Sequence, residues 1–273
     1  MTLHGMAWRP LVQSIGTAHH AAMRRYRFHT PELSGNIVTV MGTEAKHASG
    51  VLRLKPGDEV ELFDGQGSEV TGIVQSIDAE SMTVAVTLRP ANQAVSPLAT
   101  IPLIIATAIP KGARADWMIE KCAELGVAEL RPIHFERSVV EPGAGKLDRW
   151  RRLALAAAKQ CGSATTMAIA EPARLESLLA NRGRSACVFG FPQTPETLAD
   201  ELHSIARGIA RFDPVIVVVG PEGGISTDEF NKLSNAGAVP VTWARTVLRI
   251  ETAAVAAAAI FASHAAGYAR QDV

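Results

Sequence analysis

Two segments in the last quarter of the chain carry residue types that could do chemistry together. The first is Gly220-Pro221-Glu222-Gly223-Gly224, a glycine-rich loop holding one carboxylate. The second is Leu248-Arg249-Ile250-Glu251-Thr252, which puts a guanidinium and a carboxylate at the mouth of a stretch that is otherwise nearly all Ala, Val, Ile and Phe. Charged side chains are rarely buried without a partner. Arg249 and Glu251 therefore either cap and pair locally or contact a ligand, and Glu251 also suits the positive end of a helix dipole. The glycine loop is no P-loop, because no Gly-Lys-Ser/Thr follows, and its glycines lack dinucleotide-fingerprint spacing. A carboxylate at Glu222 would repel a polyphosphate but not a neutral nucleoside or a sulfonium cation. On spacing alone the loop is either a ligand loop of that kind or a tight turn needing positive φ.

The elements around these segments must hold them in place. Val215 to Val219 is a run of five β-branched residues, which predicts a strand buried on both faces in the middle of a parallel sheet. Ser226 and Glu229 stand at capping-box spacing and predict a helix start directly after the loop. Strand, glycine loop and helix N-terminus together form the place where open α/β sheets bind ligands. From residue 101 onward strands and helices alternate. Strands are predicted at 101–108, 129–135, 167–170, 186–190, 215–219 and 238–243. Helices are predicted at 114–125, 146–160, 173–180, 195–207, 227–235 and 250–268. This alternation implies a parallel sheet covered on both faces.

The first part of the chain reads differently. Residues 1–22 read as a poorly ordered tail ahead of a domain that starts at Met23. Residues 23–90 carry mostly β signals: Asn36–Val40, Glu59–Phe63 entering the hairpin dipeptide Asp64-Gly65, Val70–Ile77, and a strict alternation from Ser81 to Leu88. A helix is expected over Thr43–Leu54. These short strands predict a small β-barrel that serves as a binding module. Residues 91–100 read as a linker, and 101–273 as the α/β domain.

Composition excludes several function classes. Lys plus Arg and Asp plus Glu both number 27, so no global basic field draws the chain to nucleic acid, and any such binding must use local patches. Candidates for those patches are Arg25, Arg27 and Arg53 on the barrel, and Lys111, Arg114 and Arg137 in the α/β domain, each open to the alternative of a solvated face. Lys146 to Arg152 forms a further basic run. Cys122, Cys161 and Cys187 lack metal-ligand spacing, so no metal is expected, and their odd number fits a reduced cytoplasmic setting. No histidine sits beside a Ser or Cys in a nucleophile context, which leaves hydrolase chemistry without support. His47 reads as polar surface.

Taken in order, the motifs resemble those of the RsmE family of SPOUT methyltransferases, over about Tyr26 to Ala262. Gly220-Pro-Glu-Gly-Gly-Ile-Ser226 with Glu229, and Val247-Leu-Arg-Ile-Glu-Thr-Ala253, are similar to the family's two C-terminal motifs. His47, Val51-Leu-Arg53, Pro56-Gly57 and Leu62-Phe-Asp-Gly65 resemble its PUA-like barrel. Lys111-Gly112, Lys121 to Val127, Pro132, Glu136-Arg-Ser138 and Gln160-Cys-Gly162 resemble the intervening loops. The resemblance implies an α/β fold: a C-terminal SPOUT-type parallel sheet with a trefoil knot, preceded by a small PUA-like β-barrel. It implies methylation of N3 of a uridine in 16S (small-subunit) ribosomal RNA, with S-adenosyl-L-methionine as cofactor, by a homodimer. Carried over residue by residue, the cofactor would touch Gly190, Val219, Gly220, Glu222, Gly223, Gly224, Trp243, Val247, Leu248 and Thr252. Arg249 and Glu251 would be catalytic. RNA would meet Arg25, Arg27, His47, Arg53, Lys111, Arg114, Arg137 and Gln160. The chain departs from the family pattern at Ser163, Thr165, Trp243-Ala244 and Thr246. Those departures keep open an RNA-binding protein with altered or lost catalysis, and a different nucleotide-cofactor α/β enzyme remains the other alternative.

Overall fold

The computed structural model describes residues 26–88, 101–192, 194–208 and 213–268. The expected tail at 1–22, Arg25 and the linker at 91–100 lie outside the described residues. Among the described residues, no helix is long and apolar enough to cross a membrane.

The N-terminal unit is a curled five-stranded sheet. Its strands are β1 (Tyr26–His29), β2 (Ile37–Met41), β3 (Glu59–Phe63), β4 (Glu69–Ile77) and β5 (Ser81–Leu88), in the order β1-β3-β4-β5-β2. Pairing is antiparallel except between β1 and β3. Period-2 patterning places Val38, Val40, Val60, Leu62, Met82 and Val84 on the inner face, and all six are buried. Gly72 belongs to the fold because a Cβ there would lie 2.5 Å from the Ala85 carbonyl oxygen. The expected helix over Thr43–Leu54 is shorter than its periodicity implies. A single turn, α1 (Thr43–Lys46), widens into a π turn at His47–Val51. There the Ser49 hydroxyl donates to the Ala45 carbonyl and Gly50 weakens the helix further. The Asp64-Gly65 dipeptide does open a hairpin, but the loop is longer than two residues. The Asp64 carboxylate organises it by accepting from the Gln66 and Ser68 amides at 2.7 and 3.0 Å.

The second unit is a seven-stranded sheet in which every pairing is parallel. Its strands are β6 (Leu103–Thr107), β7 (Glu129–His134), β8 (Ala168–Ile169), β9 (Ala173–Arg174), β10 (Ala186–Gly190), β11 (Val215–Val219) and β12 (Val239–Val241). The order is β12-β10-β11-β6-β7-β8, with β9 also on β7. Every residue of β6 and β11 is buried. At about 1.5–3 kcal/mol per buried Val or Ile, this pair anchors the domain. Pro240 is tolerated because β12 is an edge strand. The helices are α2 (Ala113–Glu124), α3 (Ala144–Cys161), α4 (Leu175–Ala180), α5 (Leu198–Gly208), α6 (Thr227–Asn235) and α7 (Ile250–Tyr268). The chain runs outward from β6 to β8, then returns to lay β11 on the other side of β6. The connections after β6 and β11 therefore diverge at a topological switch point.

The two units are joined by specific contacts. The β3–β4 hairpin meets the loop after α3: the Gly67 amide donates to the Ala164 carbonyl at 3.1 Å and the Thr166 amide to the Gly65 carbonyl at 2.9 Å. Lys159 pairs with Glu44 at 2.8 Å. Arg27, expected to face RNA, instead works inside this joint. It pairs with Glu61 and Glu69 at 3.0 and 3.2 Å, lies over the Phe63 ring, and donates to the Ser163 carbonyl at 3.0 Å. With its guanidinium held by two carboxylates and a carbonyl, Arg27 is not placed to hold a phosphate. Ser163 and Thr165, two positions that depart from the family pattern, are part of the same joint.

Candidate active site

The loop after β11 is braced from three directions. Its exit is fixed by Glu229 in the first turn of α6. One carboxylate oxygen accepts from the Ser226 amide at 2.9 Å, completing the capping box that the spacing predicts. The other oxygen accepts from the Glu136 amide at 2.7 Å, which ties α6 to the loop after β7. From that same loop Arg137 donates to the Gly223 carbonyl at 2.8 Å, its side chain lying against Gly223. From the start of α2, Arg114 reaches Glu222 at 3.0 Å. Arg114 and Arg137, read from sequence as phosphate ligands, thus both make contacts to the glycine loop. Because Glu222 is paired, its charge discriminates against phosphate less strongly than the sequence implies.

Above β10, β11 and β12 lies a cavity of about 520 Å³, within the range of small-molecule sites. Of the predicted cofactor residues, Gly190, Val219, Gly220, Glu222, Gly223, Gly224, Trp243, Val247 and Leu248 line it. Thr252 does not: on α7 its side chain faces outward and is exposed. Sequence reasoning missed Phe191, Pro192, Ile225, Thr242 and Ala253, which also line the cavity. For Phe191, Pro192 and Thr242 the available signal was their position directly after β10 and β12, at the carboxyl ends of parallel strands; Ile225 ends the glycine loop after β11 and Ala253 lies in the first turn of α7. The Trp243 ring lies so close to Gly190 that a Cβ there would be 2.6 Å from it, so only glycine fits beneath the indole.

At the head of α7 the two charged residues part company. Arg249 is exposed, between the lining residues Leu248 and Ile250, and among the described residues its guanidinium has no protein partner. Glu251 is buried at 6% exposure. One of its oxygens lies 3.6 Å from Arg114, and the other has no hydrogen-bond partner. Behind them Ala254, Ala257 and Ala258 are fully buried and let α7 pack closely on the core. Of the RNA-facing candidates, His47, Arg53, Lys111 and Gln160 are exposed and disperse over both units. Burial pushes the thiols of Cys122 and Cys187 up, to about 12 and about 11, which disfavours their thiolates at neutral pH.

A parallel sheet with a braced glycine loop and an Arg/Glu helix head above its carboxyl ends, joined to a curled β unit, is the architecture of an RNA methyltransferase. Residues 97–262 match the model of the RNA methyltransferase domain, and residues 42–87 that of the RNA methyltransferase PUA domain. Ribosomal RNA small subunit methyltransferase E of Mycobacterium bovis is 30% identical over 230 residues, covering 82% of this chain and 85% of that protein. The Bacillus subtilis protein of the same name is 25% identical over 221 residues, covering 79% and 85%. A crystal structure of the Neisseria gonorrhoeae enzyme bound to S-adenosyl methionine superposes with a TM-score of 0.73 at 26% identity, covering 86% of this chain and 95% of that one. The chain belongs to the RsmE family of ribosomal RNA small-subunit methyltransferases.

Proposed function

We propose that the chain holds S-adenosyl-L-methionine in the cavity over β10, β11 and β12 and methylates N3 of one uridine in 16S ribosomal RNA. The observation that carries this reading is Arg249, a guanidinium that has no protein partner among the described residues and stands between two residues of the cavity wall. The residues present fit the cofactor. Phe191, Trp243 and Leu248 suit a purine face, backbone amides of the glycine loop suit polar groups, and Glu222 is compatible with a cation. When bound, the cofactor supplies an electrophilic methyl group on a sulfonium. The uracil N3–H is a weak acid whose proton passes to water, and Arg249 stabilises the negative charge that collects on the flanking carbonyl oxygens as it does so. The nitrogen takes the methyl, the S–CH3 bond breaks, and sulfur keeps the electron pair. The remaining contribution of the protein is alignment. The target base must be unpaired or extruded to reach the cavity.

The same reading makes the enzyme a cytoplasmic homodimer with a trefoil knot. Two features support a second subunit beside the site: Val247 is 81% exposed on the cavity wall, and one Glu251 oxygen is without a partner. Lys111, His47, Arg53 and Gln160 then follow the RNA backbone, with the N-terminal unit adding affinity.

Gly190→Ala drives the Trp243 indole into the cavity and is expected to weaken S-adenosylmethionine binding at least about tenfold by calorimetric titration. The double variant with Trp243→Leu is expected to recover most of that loss; a single variant binding like wild type would contradict the geometry. Arg53 has a left-handed backbone, φ 55°, which costs a non-glycine residue about 1 kcal/mol. Arg53→Gly is therefore expected to leave thermal stability unchanged or raised while weakening rRNA binding and lowering its salt dependence by about one counterion. Unchanged RNA affinity across a salt series would remove Arg53 from the interface.

The function itself is tested in cells. N3-methylation blocks the pairing edge of uracil, so reverse transcription stops there. Small-subunit rRNA from a strain carrying the chain is expected to give one stop that vanishes on deletion and returns with the wild-type gene but not with Arg249→Ala. An identical stop pattern in the deletion strain would refute the assignment.

A further inference from the structure

Resting on that reading of the cavity, we infer that Arg114 is a positioning residue for methyl transfer, not an RNA ligand. It bridges the cofactor loop to the head of α7 across the switch point of the sheet. A single nitrogen, Nη1, lies 3.0 Å from Glu222 and 3.6 Å from Glu251. Glu222 belongs to the cavity wall, and Glu251 stands two residues from Arg249 in the first turn of α7. Arg114 comes from neither element: it sits in the first turn of α2, directly after β6. It is thus the link between the loop that holds the methyl donor and the helix that presents the charge-stabilising guanidinium.

The electrostatics give the link its importance. Without Arg114, two carboxylates would face one another with no cation between them. Glu251 is the more dependent of the two. It is buried, its second oxygen has no partner, and among the described residues Arg114 is its one ion-pair partner. Removing that cation leaves a buried carboxylate uncompensated, which favours displacement of the α7 head. A displacement of about 1 Å at a reacting centre can cost about a hundredfold in rate. Arg114 does not line the cavity, so its loss should not greatly change cofactor affinity.

The test is steady-state methylation of small ribosomal subunits by the full-length Arg114→Gln, Arg114→Lys and Glu222→Gln variants. Each is paired with a calorimetric titration of S-adenosylmethionine and a thermal melt. A bridging role predicts that Arg114→Gln lowers kcat at least tenfold, with KM for the subunit and Kd for the cofactor each within about threefold of wild type. It predicts partial recovery in Arg114→Lys, and an Arg114→Gln/Glu222→Gln double variant less impaired than the product of the single effects. A raised KM for the subunit with kcat intact would overturn the inference in favour of a phosphate contact. Parallel loss of cofactor binding and kcat would overturn it in favour of a general scaffold role, as would unchanged kinetics. If Arg114→Gln does not fold, Arg114→Lys decides, since it keeps the cation but loses the planar fork. Failure of the wild type to methylate any RNA would instead strike the proposed function.

Discussion

Arg249→Ala is expected to lower methyl transfer by about a hundredfold or more while S-adenosylmethionine affinity stays within about threefold of wild type. The split follows from where the side chain lies. Its guanidinium has no protein partner among the described residues and is exposed, so removal leaves no buried group unsatisfied and should not alter the fold. The neighbours Leu248 and Ile250, not Arg249, form the cavity wall. What disappears is a positive charge beside the wall, at the place where negative charge would develop on the substrate. Single-turnover assays with saturating cofactor, set beside calorimetry, separate the two quantities. Equal losses in binding and transfer would show that Arg249 holds the cofactor and would return the catalytic role to other groups.

Glu229→Ala is expected to be the most destabilising substitution near the site, by about 3 kcal/mol. The carboxylate is buried and accepts from two backbone amides, Ser226 at 2.9 Å and Glu136 at 2.7 Å. Alanine leaves both amides without their acceptor and removes half of the capping box. For a domain of this size that corresponds to a melting temperature lower by about 6–12 °C. Cofactor affinity should fall with it, because the glycine loop runs straight into Ser226 and Arg137 approaches Gly223 from the loop that Glu229 secures. Glu229→Gln keeps the shape and one acceptor, and should lose about half as much. A melt for Glu229→Ala within 2 °C of wild type, at about 1 kcal/mol or less, would mean that solvent replaces these bonds and that the brace is not structural.

Much of this was legible in the sequence for identifiable reasons. The five β-branched residues Val215–Val219 call for a strand flanked on both sides and shielded from water, and β11 has that setting: it lies between β10 and β6 with all five residues buried. The Ser226/Glu229 pair encodes its own local geometry, so the start of α6 could be placed from spacing. The cavity-lining positions followed from the two motifs because both occupy the carboxyl ends of strands. The partners of the arginines could not be read in this way. An ion pair such as Arg114 to Glu222 spans residues 108 apart, and nothing local distinguishes a guanidinium that seeks a carboxylate from one that seeks phosphate. Arg27, Arg114 and Arg137 all looked like RNA ligands for that reason, and all three have protein partners. Thr252 was misplaced by continuity with its motif: once α7 begins, its helical phase turns it outward while Ala253 faces the cavity. The shortened helix at Thr43–Leu54 shows the same limit, since apolar spacing does not register the back-bonding hydroxyl of Ser49.

The most direct test of the account is nucleoside mass spectrometry of 16S rRNA. Small ribosomal subunits lacking the uridine modification would be incubated with the purified chain and methyl-labelled S-adenosylmethionine. Label is expected in 3-methyluridine alone, approaching one methyl per subunit, and none with Arg249→Ala. Label in any other nucleoside, or tight cofactor binding without transfer to rRNA, would contradict it.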